Sequence, residues 1–172
     1  MKYKLTDETK EVYGVTLHRI EALRDFGDVK KGETGGWIEK EGNLSQIGNA
    51  WVYGDARVYG NAEVYGNAWV YGNAWVYGDA WVYDNARVSG NAEVSGDARV
   101  SGSKDYTVLK NFWSSGRYYT YTRSNRMWRV GCFYGTGAEL IAKAYQDSEL
   151  SGKMYEEAVK STERMYDILE EN

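Results

Sequence analysis

Valine recurs every six residues through the middle of the chain, at Val52, Val58, Val64, Val70, Val76, Val82, Val88, Val94 and Val100. Two positions before each valine stands an alanine, from Ala50 to Ala98 in the same register. Strand side chains alternate with period two, so an even spacing keeps each valine and its preceding alanine on one face. A helix fails this test, because six residues advance it by about 600° and scatter the valines around its axis. Gly followed by Asn or Asp closes most units, as in VYGNAW. Both residue types tolerate turn dihedrals, so each unit reads as one short strand and one corner.

One such strand cannot bury its own valine, which predicts that the units stack. Three sides per turn would place residues i, i+18 and i+36 in one column, such as Val52, Val70 and Val88, with coils about 4.8 Å apart. Upstream, Ile38 and Leu44 keep the six-residue step, but Leu44 to Val52 spans eight, which predicts a longer corner around Ser45 to Ile47. Further upstream, Leu17, Ile20, Leu23, Phe26 and Val29 are candidates to cover the open end of the stack.

The period of six disappears after Ser103. Tyr106 to Phe112 is a predicted strand, RYYTYT from Arg117 another, and TRSNR a turn into MWRVGCF from Met127. Thr136-Gly-Ala-Glu139 has the form of a capping box before a helix carrying Leu140, Ile141, Ala144 and Tyr145 on one side. A second helix is expected from about Ser151, with Tyr155, Ala158, Val159, Thr162, Met165, Tyr166 and Leu169 as its less polar stripe. The expected organisation is a cap over 1–36, repeats over 37–103 and a small α+β module over 104–172.

The segment HRIEALRDFGDVKKGETGGWIEKEGNLSQIGNAWVYGDARVYGNAEVYGNA resembles the left-handed β-helix proteins of the hexapeptide class, in particular the YGNA-rich forms common in bacteriophages and bacterial genomes. The tail, with GCFYGTG leading into a helix, is similar to a small carboxy-terminal module that follows such repeats in phage-like proteins. The resemblance implies a mainly β fold, a left-handed parallel β-helix or hexapeptide-repeat solenoid followed by a small α+β domain. It also implies assembly as a homo-oligomer, often a trimer, while the outward aromatic residues of the repeat also suit a dimer. Acyltransferases of this class use a histidine beside a cleft between subunits. Here the only histidine is His18, upstream of the repeats, and residues 48–102 leave no room for a long loop.

The residues flanking each valine should face outward. They supply an aromatic set of Trp51, Tyr53, Tyr59, Tyr65, Trp69, Tyr71, Trp75, Tyr77, Trp81 and Tyr83. A contiguous aromatic surface points to self-association or a protein partner, and otherwise to cross-strand ladders that merely stabilise exposed strands. Arg57, Arg87 and Arg99 occupy the same class of position as Glu63 and Glu93, so they read either as phosphate contacts or as surface ion pairs.

A second candidate is an anion or nucleotide site in the module, from Arg117, Tyr119, Arg123, Arg126, Arg129, Tyr134, Gly135, Thr136 and Gly137. Its glycines and helix start could offer main-chain N–H groups, although the segment lacks the ending of a P-loop. Cys132 and His18 are expected to be structural, the former as a buried packing residue. The carboxylates Asp55, Asp79 and Asp97 recur at corners, and no spacing suggests a metal or cofactor.

Composition narrows the function classes. A formal charge of −4 argues against generic nucleic-acid binding, which depends on neutralising phosphates. One cysteine cannot form an internal disulfide, no apolar run reaches the roughly 18 residues of a membrane span, and MKYKLTDETK lacks a signal-peptide core. A cytoplasmic location, that of the host if the protein is phage-encoded, is therefore expected. The leading reading is a non-enzymatic homo-oligomeric binding protein that engages a host target, such as a defence component. The alternatives are sequestration of a nucleotide-like molecule and, least favoured, acyl transfer.

Overall fold

The computed structural model describes residues 1–172. The chain opens with β1 (Tyr3–Val12), β2 (Val15–Ala22) and β3 (Thr34–Ile38). Nine two-residue strands follow: β4 (Trp51–Val52), β5 (Arg57–Val58), β6 (Glu63–Val64), β7 (Trp69–Val70), β8 (Trp75–Val76), β9 (Trp81–Val82), β10 (Arg87–Val88), β11 (Glu93–Val94) and β12 (Arg99–Val100). Strands three apart in order pair in parallel, β5-β8-β11, β6-β9-β12 and β4-β7-β10, so the chain coils through three flat faces in about four turns. We call these the first, second and third face.

The expected columns are present, with Val52 opposite Val70 and Val70 opposite Val88. All nine valines and all nine alanines are fully buried in one continuous core. Consecutive coils are joined through the main chain, for example Trp69 N–H to Ala86 O at 2.9 Å and Tyr71 N–H to Val88 O at 2.9 Å. Rows of side-chain amides reinforce the corners, Asn49 donating to Asn67 and Asn67 to Asn85 at 3.2 and 3.3 Å. Ile38 pairs with Val58 and Leu44 with Val64, offsets two residues longer than in the regular repeat, which the eight-residue corner accounts for.

The corners explain the glycines. Gly72 has φ +67°, and a Cβ there would lie 3.0 Å from Gly90 N one coil on, so both handedness and spacing demand the small residue. Asp84 stands where the other units carry glycine and adopts φ +53°, a conformation that Asp tolerates better than most residues.

The two ends are closed differently. At the amino-terminal end, β1 and β2 form an antiparallel hairpin that joins β3 and, through it, the first face. Sequence reading assigned no element to residues 3–12, because KLTDETKE shows no clean alternation. Tyr3 is buried against Trp51, and its hydroxyl lies 2.6 Å from Leu44 O. Lys2 is buried as well and donates to Ala50 O at 2.8 Å above the Phe26 ring. Burial, with the charge of Arg24, lowers its pKa to about 8.

Ile20, Phe26 and Val29 cover the core as expected, and Leu23 is half-buried. Leu17 does not. It packs with Val12 and Trp37 on the outside of the first face, because its side chain points to the opposite side of β2 from Ile20. A register irregularity in β1 between Leu5 and Thr9 accompanies this change from covering the end to lying along the outside.

At the other end stands a four-stranded antiparallel sheet in chain order, β13 (Tyr106–Lys110), β14 (Tyr118–Thr122), β15 (Met127–Val130) and β16 (Phe133–Thr136), followed by α1 (Gly137–Asp147) and α2 (Glu149–Glu171). The helices cover one side of this sheet, where Tyr119, Tyr121, Trp128, Leu140, Tyr155, Val159 and Tyr166 form a separate core. The other side of the sheet meets the last coil. Tyr106 and Val108 pack against the repeat core, so the sheet face, rather than the helical core, closes the stack.

Main-chain groups of the last coil that would have paired with a further coil are met here by side chains. Ser89 N–H reaches Tyr106 Oη at 3.4 Å, Glu93 N–H reaches Thr120 Oγ1 at 3.0 Å, Arg99 N–H reaches Ser124 Oγ at 2.7 Å, and Ser101 N–H reaches Asp105 Oδ2 at 2.7 Å. A strand edge that would invite further pairing is thereby blocked.

Two boundaries and the exposure of one helix residue differ from the sequence expectation. β13 stops at Lys110 and leaves Phe112 exposed. α2 begins at Glu149, because Ser148 caps it by accepting from Ser151 N–H. Met165, placed on the less polar stripe of the second helix, is exposed. The Thr136 capping box is present as read, Thr136 Oγ1 accepting from Glu139 N–H at 3.3 Å.

Candidate ligand cleft and aromatic faces

The outward aromatics do not form one ring. Trp69 and Tyr71 lie on the third face, Trp75 and Tyr77 on the first, Trp81 and Tyr83 on the second, separated by the corners. Trp51 is a correction. It is fully buried, because Tyr3 and Phe26 pack edge-on against it at 6.1 and 5.2 Å beneath the amino-terminal cap. A Cβ on Gly35 would lie 2.6 Å from Trp51 Cζ2, so the cap backbone also approaches closely.

Each middle-coil tryptophan carries a guanidinium from an adjacent coil. Arg57 lies 4.8 Å from the ring of Trp75, Arg87 4.1 Å from Trp69, and Arg99 4.0 Å from Trp81. Such stacking is worth about 0.5–1 kcal/mol at exposed sites. Arg87 and Arg99 also donate to main-chain carbonyls, at Asn67 O (3.0 Å) and Asp79 O (2.8 Å). None of these three arginines forms an ion pair within the chain. They are partners of the aromatic rows rather than of Glu63 or Glu93. Tyr59 stacks on Tyr77 at 5.0 Å, and Tyr65 on Tyr83 at 5.3 Å.

The faces differ in what lies over them. On the first, the hairpin tip reaches Trp75, with Tyr13 edge-on at 5.7 Å. Tyr13 and Gly14 both have positive φ, +49° and +79°, as a two-residue turn of primed type requires. On the second and third faces the aromatic contacts of Tyr53, Tyr65, Trp69, Trp81 and Tyr83 are all made within the face. Tyr71 and Trp81 are each 37% exposed there.

The proposed anion set in the module is dispersed. Tyr119 points into the helical core. Arg123 pairs with Asp105 and Glu170, and Arg126 with Asp167 and Glu170. The Thr136 N–H that an anion would use is taken by Glu139 Oε2 at 3.0 Å, and Gly135 and Gly137 are crowded by Glu139 and by Val159 and Glu163. Strand alternation separates neighbours in sequence: Tyr119 and Trp128 face the helices, whereas Arg129 and Tyr134 face the coils.

Two members of that set nevertheless meet part of the aromatic set. Arg117 and Arg129 line a cleft of about 440 Å³ with Tyr13, Tyr59, Trp75, Tyr77, Glu93, Gly131 and Cys132. The hairpin, the first face and the β15–β16 turn each contribute one wall. The Arg129 guanidinium lies 5.3 Å from the Tyr77 ring and 4.7 Å from the Tyr134 ring, and its Nε donates to Ser95 Oγ at 3.2 Å. Glu93 accepts from Tyr77 Oη at 3.2 Å. Burial raises the pKa of both groups, partly offset for Glu93 by the Tyr77 hydrogen bond and the charges of Arg129 and Arg117.

Cys132 is exposed at the rim of this cleft rather than buried, because the β15–β16 turn places it outside both cores. His18 lies in β2 opposite Thr9 of β1 and Ile38 of β3, and its Nδ1 lies 3.3 Å from Thr6 O. Sequence reading missed Tyr13 and Glu93 as cleft residues. The Tyr-Gly turn was a local signal, but its position over Trp75 depends on where the hairpin bends.

Comparison with known families agrees with this geometry. The model described as YdcK Beta solenoid repeat matches residues 56–72, 62–78 and 80–95. The chain is a β-solenoid repeat protein. Each matched segment begins at an alanine of the buried column, Ala56, Ala62 or Ala80, so the family pattern and the observed core share one register. No curated protein matches the chain. No helix of the solenoid protein is long and apolar enough to cross a membrane.

Proposed function

We propose that this solenoid is a non-catalytic binding protein that works as a homodimer, joined through the second face. The observation that carries this reading is the column Glu63, Trp81, Arg99 at the centre of that face, one residue per coil. Coils are about 4.8 Å apart, so an acid and a base sit about 10 Å from each other with a tryptophan between them. A two-fold axis through Trp81, perpendicular to the solenoid axis, would place Glu63 of each copy opposite Arg99 of the other. It would also bring the two Trp81 rings and their neighbouring tyrosine stacks together. An isologous contact needs this kind of self-complementary surface.

The other faces fit such a contact less well. The first carries Arg57, Trp75 and Glu93 in one column, but the hairpin tip lies over it. The third has Trp69 and Arg87 without an acid in the column, since Trp51 is enclosed by the cap. We read the coil as left-handed, the hand implied by the YGNA resemblance. That resemblance also supports a phage-encoded protein acting on a component of its bacterial host in the cytoplasm.

Light scattering tests the dimer. The parent protein is expected at twice the chain mass, Glu63→Arg and Arg99→Glu singly at the monomer mass, and the double variant Glu63→Arg/Arg99→Glu at the dimer mass again. A monomeric parent, or single variants with unchanged mass, would sink the proposal.

A further inference from the structure

Arg117 and Arg129 are the two cations of the first-face cleft, and both are left with free donors. Arg117 makes no side-chain hydrogen bond and no ion pair, although it lies against Gly131 so closely that a Cβ there would collide with it. Arg129 uses only Nε, on Ser95, which leaves the four N–H bonds of its two terminal nitrogens without a partner in the chain. Its guanidinium lies 5.3 Å from the Tyr77 ring and 4.7 Å from the Tyr134 ring and is tied to Ser95, contacts that restrict the fork before anything binds. Elsewhere in the module, Arg123 and Arg126 are neutralised by acids, which makes this pair distinct.

The remaining walls set what else the ligand must carry. Tyr59, Trp75 and Tyr77 give an aromatic surface, and Glu93 gives a single hydrogen-bond acceptor beside it. A cleft of about 440 Å³ falls within the range of small-molecule sites, roughly 300–1,000 Å³. Phosphate or carboxylate suits the guanidinium forks, a flat ring suits the aromatic wall, and an N–H on that ring suits Glu93.

We propose that this cleft binds a mononucleotide, its phosphate held by Arg117 and Arg129, its base set against the Tyr59, Trp75 and Tyr77 wall, and a base N–H donated to Glu93. The site lies on a different face from the proposed dimer contact, and all three of its walls come from one chain. It therefore stands whether or not the protein dimerises.

Isothermal titration of the full chain with GMP, AMP, guanosine and inorganic phosphate tests the assignment. At least one of the two nucleotides is expected to bind, and to do so more tightly than guanosine or phosphate. Arg117→Gln and Arg129→Gln should each weaken binding by roughly tenfold, the loss of one charge-assisted contact. Arg117→Gln removes no hydrogen bond within the chain, so its circular dichroism should match the parent and exclude misfolding as the cause. The proposal is overturned if neither nucleotide binds or if both variants keep parental affinity. Guanosine binding as tightly as GMP would remove the role of the arginines, and phosphate binding as tightly would remove that of the aromatic wall.

Discussion

The repeat and the module that ends it hold together by different means. Between coils, the joining groups are main-chain N–H and C=O, which every residue except proline supplies, and the interior needs only valine and alanine. Outward positions are then free to vary, and the chain uses them for Arg, Glu, Trp, Tyr and Ser in turn. The module has no such freedom. It meets the last coil through particular hydroxyls and carboxylates, and its own core is a set of interlocked aromatic rings, with Trp128 between Tyr119 and Tyr121 at 5.9 and 4.9 Å. A structure propagated by the backbone can be lengthened almost indefinitely, and one closed by specific side chains stops where those side chains are.

Alkali should separate the two regions most strongly. Burial pushes Tyr119 and Tyr121 of the module up to about 12. A tyrosine held above its ordinary value near 10 contributes stability that is complete below about pH 10 and is lost as pH rises through 10 to 12. Burial also raises Tyr59, to about 12, and Tyr53, Tyr65 and Tyr77 on the outside of the repeat, but these rings flank an interior of valine and alanine whose coils are joined by main-chain hydrogen bonds. The helical dichroism of the module is expected to disappear between about pH 10 and 12 while strand signal persists. Simultaneous loss of both signals would show that the regions unfold as one unit.

A smaller effect is expected inside the repeat. Ala74 is fully buried, and Ala74→Leu should overpack the interior by about 1–3 kcal/mol. A urea titration would report it as a lower midpoint for the strand signal, with the helical signal following only as far as the module depends on the last coil. An unchanged midpoint would mean that the interior is wider than the close stacking of its alanines requires.

The smallest change is expected at the junction. Thr120→Val keeps the shape of the side chain but removes the oxygen that receives Glu93 N–H, at a cost of about 1 kcal/mol. Hydrogen exchange at the Glu93 amide should accelerate, while the amide of Trp75, which donates to Ala92 O between coils, should not. Equal protection before and after the substitution would show that the junction does not depend on this hydroxyl.

Much of the fold was legible because the repeat is local and redundant. Nine copies of the same spacing specified the strand period, the inward column and the corner, and the eight-residue step from Leu44 to Val52 correctly placed the irregular first corner. The amino-terminal hairpin was not legible, since its pattern changes sides partway along β1 where the register shifts. The candidate site was legible only as two separate lists. Tyr59, Trp75 and Tyr77 came from the repeat and Arg117 and Arg129 from the module, with nothing in either segment to join them.

What the sequence determined by itself is the set of features repeated along the chain: a stacked β-solenoid with valine and alanine inside, glycine at the corners and aromatics outside, followed by a module with its own sheet and helices. Only the tertiary structure decided which aromatics stay accessible and which arginines stay unpaired. Burial of Trp51 depends on a hairpin that folds back over the first coil, and the pairing of Arg123 and Arg126 depends on the packing of α2 beside β14 and β15. The physical reason is range. A strand period is written by neighbours a few residues apart, whereas accessibility and charge pairing are set by surfaces that meet only after every element is in place.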